Sequence, residues 1–512
     1  MAPDNIRCQG VNRRKALKTL AATGTVGIAG CSGDDGGDGG DGGDGGDGGD
    51  GGGGGGGGGG GTAGSTDQSD IAGDTVQFIK GDTGDELIEV IDRAAAAFEE
   101  ETGAIVEPQY TGIGDSKYQR IVSLIQSGDP PEVATINLSV GGQFYNEGAL
   151  APVTENMERL IERHGEPVVR WQQDGEDWMI PFAQGTTDYW FRDDLLGEVG
   201  LDEEFVPDTW DKLMTYAQAH DENADSLQSG VFVMSGQAKA TGNFMMGSFH
   251  MSNGGKMCEW TGNKFEVAWA DGEQRTRMIE TLTYLQNLHE YSVDAGGAGE
   301  SENENAIPTG LAAATFDAGA RVKLGAPGQN RPYESAKAVT NVGHIPEKRT
   351  PQSQAQVAPL YAFSGAENTE AGKRFIEFLM TNPEFAGDFC WADGPVHAQP
   401  PFPGLKQSDH FQDLLMNDLG DHWETRPYGG YDNSNGIGSS AQRHLQEATA
   451  NADAQVFETG RPNPHLGSIW STGILSEMVQ VVNIDGRDPE AAVDEYAPQV
   501  QDILDRSQGG GL

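Results

Sequence analysis

From Gly33 to Gly61 the chain contains only glycine and aspartate. Asp-Gly-Gly units repeat as far as Asp50, and an unbroken glycine run follows to Gly61. Such a stretch has no apolar side chain to bury and loses the most backbone entropy on ordering, so it is expected to stay disordered. The repeat superficially resembles calcium-binding Gly/Asp nonapeptides. Those place an apolar residue in every repeat to build a core, and this run has none. Over 31–73 the segment reads as a tether that spans roughly 35 Å on average and is stretched by its own charge. It splits the chain into a short leader and one long folding region from about Thr75.

The leader carries Arg13, Arg14, Lys15 and Lys18 ahead of a weakly apolar stretch from Leu20 to Gly30. That stretch is too short to span a bilayer and fits the apolar core of a signal peptide. Arg13-Arg14 followed by Leu17-Lys18 resembles a twin-arginine export signal. Ile28-Ala29-Gly30-Cys31 resembles a lipobox, in which the signal is cut before the cysteine and the thiol is lipidated. The expectation is a lipoprotein signal over 1–30, a lipid on Cys31, and a folded domain held on the extracellular face of the cytoplasmic membrane.

Charge excludes one class of partner. There are 79 Asp and Glu residues against 33 Lys and Arg, a formal net charge of −46. Such a field repels nucleic acid and anionic headgroups. Two readings stay open: a surface hydrated for high salt, as in halophilic organisms, or an acidic face for cations or a cationic partner. The acids are scattered rather than blocked, which favours the first. Of the four cysteines, Cys8 and Cys31 lie in the leader, while Cys258 and Cys390 stand apart without CxxC or Cys/His spacing. No zinc site or other cofactor is expected. A Cys258–Cys390 disulfide is permitted in an exported domain, and two buried thiols are the equal alternative.

Beyond Thr75 strand and helix patterns alternate. Val76–Ile79 reads as a strand, and Leu87, Ile91, Ala94, Ala95 and Phe98 fall on one helical face that stops at Gly103. Ile105–Pro108 is the next strand. Tyr118, Ile121, Val122 and Ile125 make a helix ended by Gly128-Asp129-Pro130-Pro131, and Val133–Leu138 is a third strand. This order implies an α/β fold with a largely parallel sheet. Ligands of such sheets gather at the carboxyl ends of strands, here after Ile79 and after Asn137.

At this point a resemblance covers nearly all of 75–506. Phe98-Glu99-Glu100-Glu101-Thr102-Gly103 is similar to the "FEKETG" opening of family 1 extracellular solute-binding proteins, the maltose-binding-protein group. Gly128–Val133 resembles "GxxPDV", Gly148–Val153 "GLLAPL", and Pro181 through Leu195 "PFxxxxxxxYYNKDLF". Pro207–Leu213 resembles "PxTWDEL", Thr309–Ala314 "GKAAM", Lys373–Leu379 "KFIEFL", and Asp485–Ala492 the "GKSPEEAL" start of a last helix. The matches run in family order. The resemblance implies a two-lobed periplasmic-binding-protein-like fold of type II with a multi-segment hinge. It places lobe 1 at 74–184 and 305–363, and lobe 2 at 186–304 and 364–506. It also implies a monomer that binds a small solute, a sugar or oligosaccharide first, and delivers it to ABC permease subunits.

The resemblance also nominates site residues, since a sugar site pairs hydrogen-bonding side chains with aromatic faces. Lys80–Gly84 resembles a family loop whose acid binds sugar hydroxyls, so Asp82 carries over, with Thr83 in place of a lysine; Asp82 equally suits a turn. Where the maltose binders carry Trp, Asp and Arg, this chain has Ile136, Ser139 and Val140, which argues against maltodextrin. Asn137 and Ser139 remain candidates, with helix capping as the alternative. Gly185 stands where the family has a carboxylate, leaving Gln184 and Thr187. Asn243 and Phe244 match a stacking position that a core role also explains. Asp317 points to the cleft by resemblance, or pairs with Arg321. Trp470 matches a sugar-stacking tryptophan. Trp391 and Tyr431 are expected in loops that face the cleft.

Two rival functions stay open. A binder of a polyol phosphate or peptide-like compound is one; a phosphate would want clustered cations. A secreted glycoside hydrolase is the other. No HExxH, GxSxG or Walker motif is present, and Gly114-Asp115-Ser116 follows the second strand rather than the first, so no catalytic residues are assigned.

Overall fold

The computed structural model describes residues 68–81, 85–111, 115–224, 226–236, 241–293, 300–318, 339–341, 345–350, 353–393, 399–414, 452–453 and 463–509. The folded unit runs from Ile71 onward. Cys31, Asp82, Thr83 and Tyr431 lie outside the described residues, and Ser139 and Asp317 are described by backbone alone.

The unit opens with β1 (Thr75–Gly81), α1 (Asp85–Thr102), β2 (Ile105–Thr111), α2 (Asp115–Ser127), β3 (Val133–Thr135), α3 (Leu138–Asn146), β4 (Leu150–Ala151) and α4 (Thr154–His164). A hairpin of β5 (Gln172–Gln173) and β6 (Glu176–Asp177) leads into the long β7 (Ile180–Arg192). Next come α5 (Trp210–Asn223), α6 (Gly247–Ser252), β8 (Cys258–Trp260), β9 (Phe265–Val267), α7 (Gly272–His289), α8 (Glu300–Ala306), β10 (Ala314–Ala318) and β11 (Val339–Asn341). The chain continues through β12 (Ser353–Phe363), α9 (Thr369–Thr381), α10 (Pro383–Asp393), α11 (Pro403–Lys406), α12 (Asp409–Asp413) and β13 (Ala452–Asp453). It closes with α13 (Leu466–Thr472), α14 (Ile474–Asn483) and α15 (Pro489–Gln508).

The helical spacing of α1 buries Leu87, Val90, Ile91, Ala94, Ala95 and Phe98 on one face. Gly103, at φ +76, ends it with a backbone hydrogen bond to Glu99. β1 pairs in parallel with β2 and β3, as the alternating pattern implies. The third strand is shorter than expected. It stops at Thr135, and Leu138 already opens α3 behind an extended Asn137. Ile136 and Leu138 are both buried, which mimics strand alternation up to the helix start.

The described sheet order is β10-β7-β12-β3-β1-β2, with β12 antiparallel to both β3 and β7. β7 serves two neighbourhoods. Ile180–Thr186 pairs with β12, while Thr187–Arg192 pairs with β10 and β11. One apolar cluster joins Phe78, Phe98, Phe182, Phe375 and Phe389 on one side of the sheet. Another holds Ile79, Ile136 and Phe144 together with Phe232, Trp269, Leu285, Leu475 and Val493.

This packing departs from the expected division of the chain. α9 and α10 belong with the first lobe: the Phe375 ring lies 5.6 Å from Phe78 and 5.4 Å from Phe98, and Phe389 stacks on Phe182 at 4.4 Å. β10 belongs with the second, paired to the far half of β7 and bonded through the Ala314 carbonyl to the Phe232 amide. Of the segment 364–506, α13–α15 pack with the second lobe. Cys258 and Cys390 lie buried in different clusters with no disulfide between them.

Glu132, in the Gly128–Val133 motif, explains why α9 returns to the first lobe. Its buried carboxylate accepts the Gln77 amide at 2.8 Å and the Asn368 amide at 3.2 Å. The Asn368 side chain in turn donates to the Thr75 carbonyl at 3.0 Å. One carboxylate thus joins β1 to the start of α9. Glu132→Ala leaves these amides without an acceptor and is expected to cost about 2 kcal/mol in urea unfolding of the full chain; an unchanged midpoint would remove Glu132 from that role.

Three imidazoles anchor the second lobe. Burial pushes His220, His250 and His465 down to about 4. His220 contacts the Tyr216 carbonyl at 2.9 Å and His250 the Lys256 carbonyl at 3.2 Å. Unfolded histidine titrates near 6.5, so in this range the unfolded chain binds the extra protons. Their contribution is therefore complete above about pH 6.5 and declines as pH falls toward about 4. Urea midpoints measured across that window should drop with acid, and His250→Gln should flatten the slope; an equally steep curve in the variant counts against it.

Candidate functional site

The site grows from the midpoint of β7. The Gln184 backbone N–H donates to the Gln399 carbonyl at 2.9 Å and the Gln184 carbonyl accepts the Gln399 N–H at 2.8 Å, while the residue registers with Val357 of β12. Its side chain is 2% exposed, yet neither the amide oxygen nor the amide nitrogen has a hydrogen-bond partner among the described residues. Thr187 is fully buried with its hydroxyl likewise unpartnered. Alternation along the strand puts Gln184 and Thr187 on opposite faces. Thr187 shares its face with Tyr189 and Phe191 of the apolar cluster. The two candidates therefore do not meet a ligand from the same side.

A second group forms where a π-helical turn over Thr241–Met246 runs into α6. Gly242 permits it: a Cβ there would lie 2.4 Å from the Ser476 nitrogen, and the Gly242 amide donates to the Ser476 hydroxyl at 3.0 Å. α14 thus sits directly on the turn. The same close packing brings Phe244 within 6.4 Å of Trp470, their rings inclined by 53°. The Asn243 side-chain nitrogen reaches the Trp470 carbonyl at 3.5 Å. The Trp470 indole N–H and the Asn243 side-chain oxygen have no partner among the described residues. Three residues singled out from distant sequence positions meet here. π-helical turns recur at functional sites.

The remaining candidates separate. Asn137 is exposed at the mouth of α3 without a side-chain cap bond, and Ser139 stands in that helix's first turn. Asp317 registers with Asp188 across β10 and β7. Trp391 is not in a loop. It lies within α10, 5% exposed, with its ring edge-on to Phe411 at 6.4 Å. Its burial between α10 and α12 groups it with the first lobe, away from the Phe244–Trp470 pair.

Sequence reasoning passed over further buried polar groups. The Tyr361 hydroxyl, the Thr135 hydroxyl and the Asn463 side-chain nitrogen lack partners among the described residues. Burial holds the Tyr361 phenol well above its ordinary pKa, so it is a neutral hydroxyl. Tyr361 lies in an apolar strand and reads as core, which left no signal. Asn463 lies between two prolines and reads as a turn. Among the described residues no three His, Cys, Asp or Glu side chains converge as metal ligands.

A sheet with strands running through two lobes, and neutral hydrogen-bonding groups beside a pair of inclined aromatic rings, defines a two-lobed binding protein. A model of the bacterial extracellular solute-binding protein family matches residues 81–384, and the chain belongs to that family. A curated relative, the putative ABC transporter periplasmic-binding protein YcjN of Escherichia coli (strain K12), is 23% identical over 318 residues, 60% of this chain and 68% of that one. Among solved structures, an ABC transporter solute-binding protein of Thermotoga lettingae TMO bound with alpha-D-tagatose superposes with a TM-score of 0.60 at 20% identity, covering 84% of this chain and 100% of that one. Maltose-bound MalE3 of T. maritima gives 0.62 at 15% identity, with the same coverage. A ribitol complex from Agrobacterium radiobacter K84 gives 0.60 at 17%, covering 85% and 99%. These likenesses show the fold.

A buried amide that satisfies no group among the described residues adds nothing to their stability. Gln184→Met keeps the volume and removes the unpartnered groups, so the unliganded chain is expected to hold its urea midpoint or gain up to about 1 kcal/mol. A clear loss would mean that the amide is bonded within the fold.

Proposed function

We propose that this chain is the solute-capturing component of an ABC importer and that its ligand is a neutral polyhydroxy compound, a sugar or a polyol. The observation that carries the reading is the uncharged set around Trp470. The Trp470 indole N–H and the Asn243 amide oxygen, both with unused hydrogen-bonding capacity, lie beside paired aromatic rings. Hydroxyls need donors and acceptors together, and sugar C–H faces need a flat apolar partner. The relatives complexed with tagatose, maltose and ribitol support the same class. The absence of the Trp, Asp and Arg pattern at Ile136, Ser139 and Val140 argues against a maltodextrin.

Binding drives closure only if the solute prefers the closed arrangement. In this reading the ligand supplies that preference by bridging groups on β7 to the Trp470–Asn243 group. The Arg13-Arg14 leader exports the domain, a lipid on Cys31 holds it outside the membrane, and the Asp/Gly segment lets it reach the permease. The acid-rich surface keeps it hydrated in high salt.

The test is a thermal-shift screen of the full chain in high salt against sugars, polyols and their phosphates. A solute at about 100 times its dissociation constant adds about 2.7 kcal/mol. The expected hit is an uncharged sugar or polyol recovered chemically unchanged, whose affinity falls at least tenfold, about 1.4 kcal/mol, in Trp470→Ala. Shifts by phosphates alone overturn the neutral-ligand assignment, and cleavage of a glycan overturns the binding role.

A further inference from the structure

Three observations converge on the contact between α3 and the start of α13. The first is steric. α3 carries Gly141 and Gly142 in tandem. A Cβ on Gly142 would lie 2.5 Å from the Pro464 Cα and 2.7 Å from the Pro464 carbonyl oxygen. Distances below 3.0 Å to backbone atoms require the backbone to move. Gly141 faces elsewhere: its Cβ would fall on the Tyr361 hydroxyl. Two adjacent glycines thus do different jobs, one inside the first lobe and one against the segment that leads to Trp470.

The second observation is Asn463. It is 2% exposed, and its side-chain oxygen accepts the His465 amide at 3.0 Å. That bond fixes the orientation of the side-chain amide, because the reverse would set N–H against N–H. Asn463 therefore holds the turn that starts α13 at the point where Pro464 meets Gly142. The third is the opposite anchor. His465 contacts the Ser507 hydroxyl at 3.0 Å, and the Ser468 hydroxyl donates to the same oxygen at 3.0 Å. α13 is thus tied to α15 on one side and seated on α3 on the other.

We propose that Gly142 and Asn463 are positioning residues for solute binding: they seat α13 against the first lobe and thereby set where Trp470 stands. Neither needs to touch the solute. Helix propensity offers no reason for glycine at 142, since alanine is favoured over glycine in a helix interior. The close approach to Pro464 is the reason the structure provides. The affinity consequence rests on Trp470 being the stacking ring of the proposed function, so the test includes an arm that needs no ligand.

The full chain is prepared as wild type, Gly142→Ala, Asn463→Ala and, as a control, Gly141→Ala, each with and without Trp470→Phe. The chain has nine tryptophans, so the Trp470 signal is the difference within each pair. Acrylamide quenching and emission maximum read the Trp470 environment. Dissociation constants are measured for tagatose, maltose and ribitol, and melting temperatures are recorded. Gly142→Ala and Asn463→Ala should each change the Trp470 emission and quenching and weaken whichever sugar binds by at least about tenfold. Gly141→Ala should lower the melting temperature without altering the Trp470 difference signal. If Gly142→Ala and Asn463→Ala both leave that signal unchanged, the seat is ordinary packing and the proposal falls. If the signal moves but sugar affinity does not, positioning for binding is overturned. If no sugar binds the wild type, the proposed function fails while the quenching arm still decides the seat.

Discussion

β7 is the element on which the rest depends. It is 13 residues long, roughly 43 Å at the usual rise, and its two halves pair with different strands. A strand must satisfy its backbone groups along its whole length. The first half does so against β12, the second against β10 and β11, so the lobes cannot separate without bending this strand. The register shows where bending is easiest. Pro181 faces Pro359 across a bulge between Ala358 and Pro359, and neither proline can donate to the ladder. Gly185 follows, without a side chain to lock against its neighbours. Gln184 stands between these two features, on the stretch where the strand bends most easily.

The same dependence explains what the sequence could and could not reveal. α1 and the starts of β1–β3 were legible because each repeats one period over a continuous run, and α1 ends at a glycine. β12 was not placed, since its partners, β7 and β3, are set by pairing across well over a hundred residues. The lobe boundaries failed for the same reason. The apolar stripe of α9 says that it is buried, and only Phe375 against Phe78 and Phe98 says where. Trp391 was misplaced because Gly394-Pro395 marks a loop, and the tryptophan lies just before it in the helix.

The candidate site divides similarly. Asn243, Phe244 and Trp470 were nominated by resemblance from segments more than two hundred residues apart, and the packing of α14 on Gly242 brings them together. Gln184 and Thr187 were nominated as a pair, but strand alternation sets them on opposite faces. Tyr361 and Asn463 carried no local signal. A buried hydroxyl in an apolar strand and an amide between prolines look like core and turn until their partners are counted.

The contrast between the surface and this interior is itself informative. Acids outnumber bases so heavily that several cations serve two carboxylates each: Arg275 holds Glu490 and Asp494, Arg170 holds Glu166 and Asp177, and Lys264 holds Glu266 and Asp505. Where acids are exposed to water, their repulsion is screened by salt within about a Debye length. The groups that meet at Trp470 are uncharged: the Phe244 ring, the Asn243 amide and the indole itself. An uncharged Trp470–Asn243–Phe244 group in so acidic a chain separates two tasks. The surface field governs solubility and what approaches, whereas selection among uncharged solutes rests on hydrogen-bond pairing and ring contact, interactions that salt hardly weakens. A protein built this way can vary its surface charge with its medium and leave its ligand preference untouched.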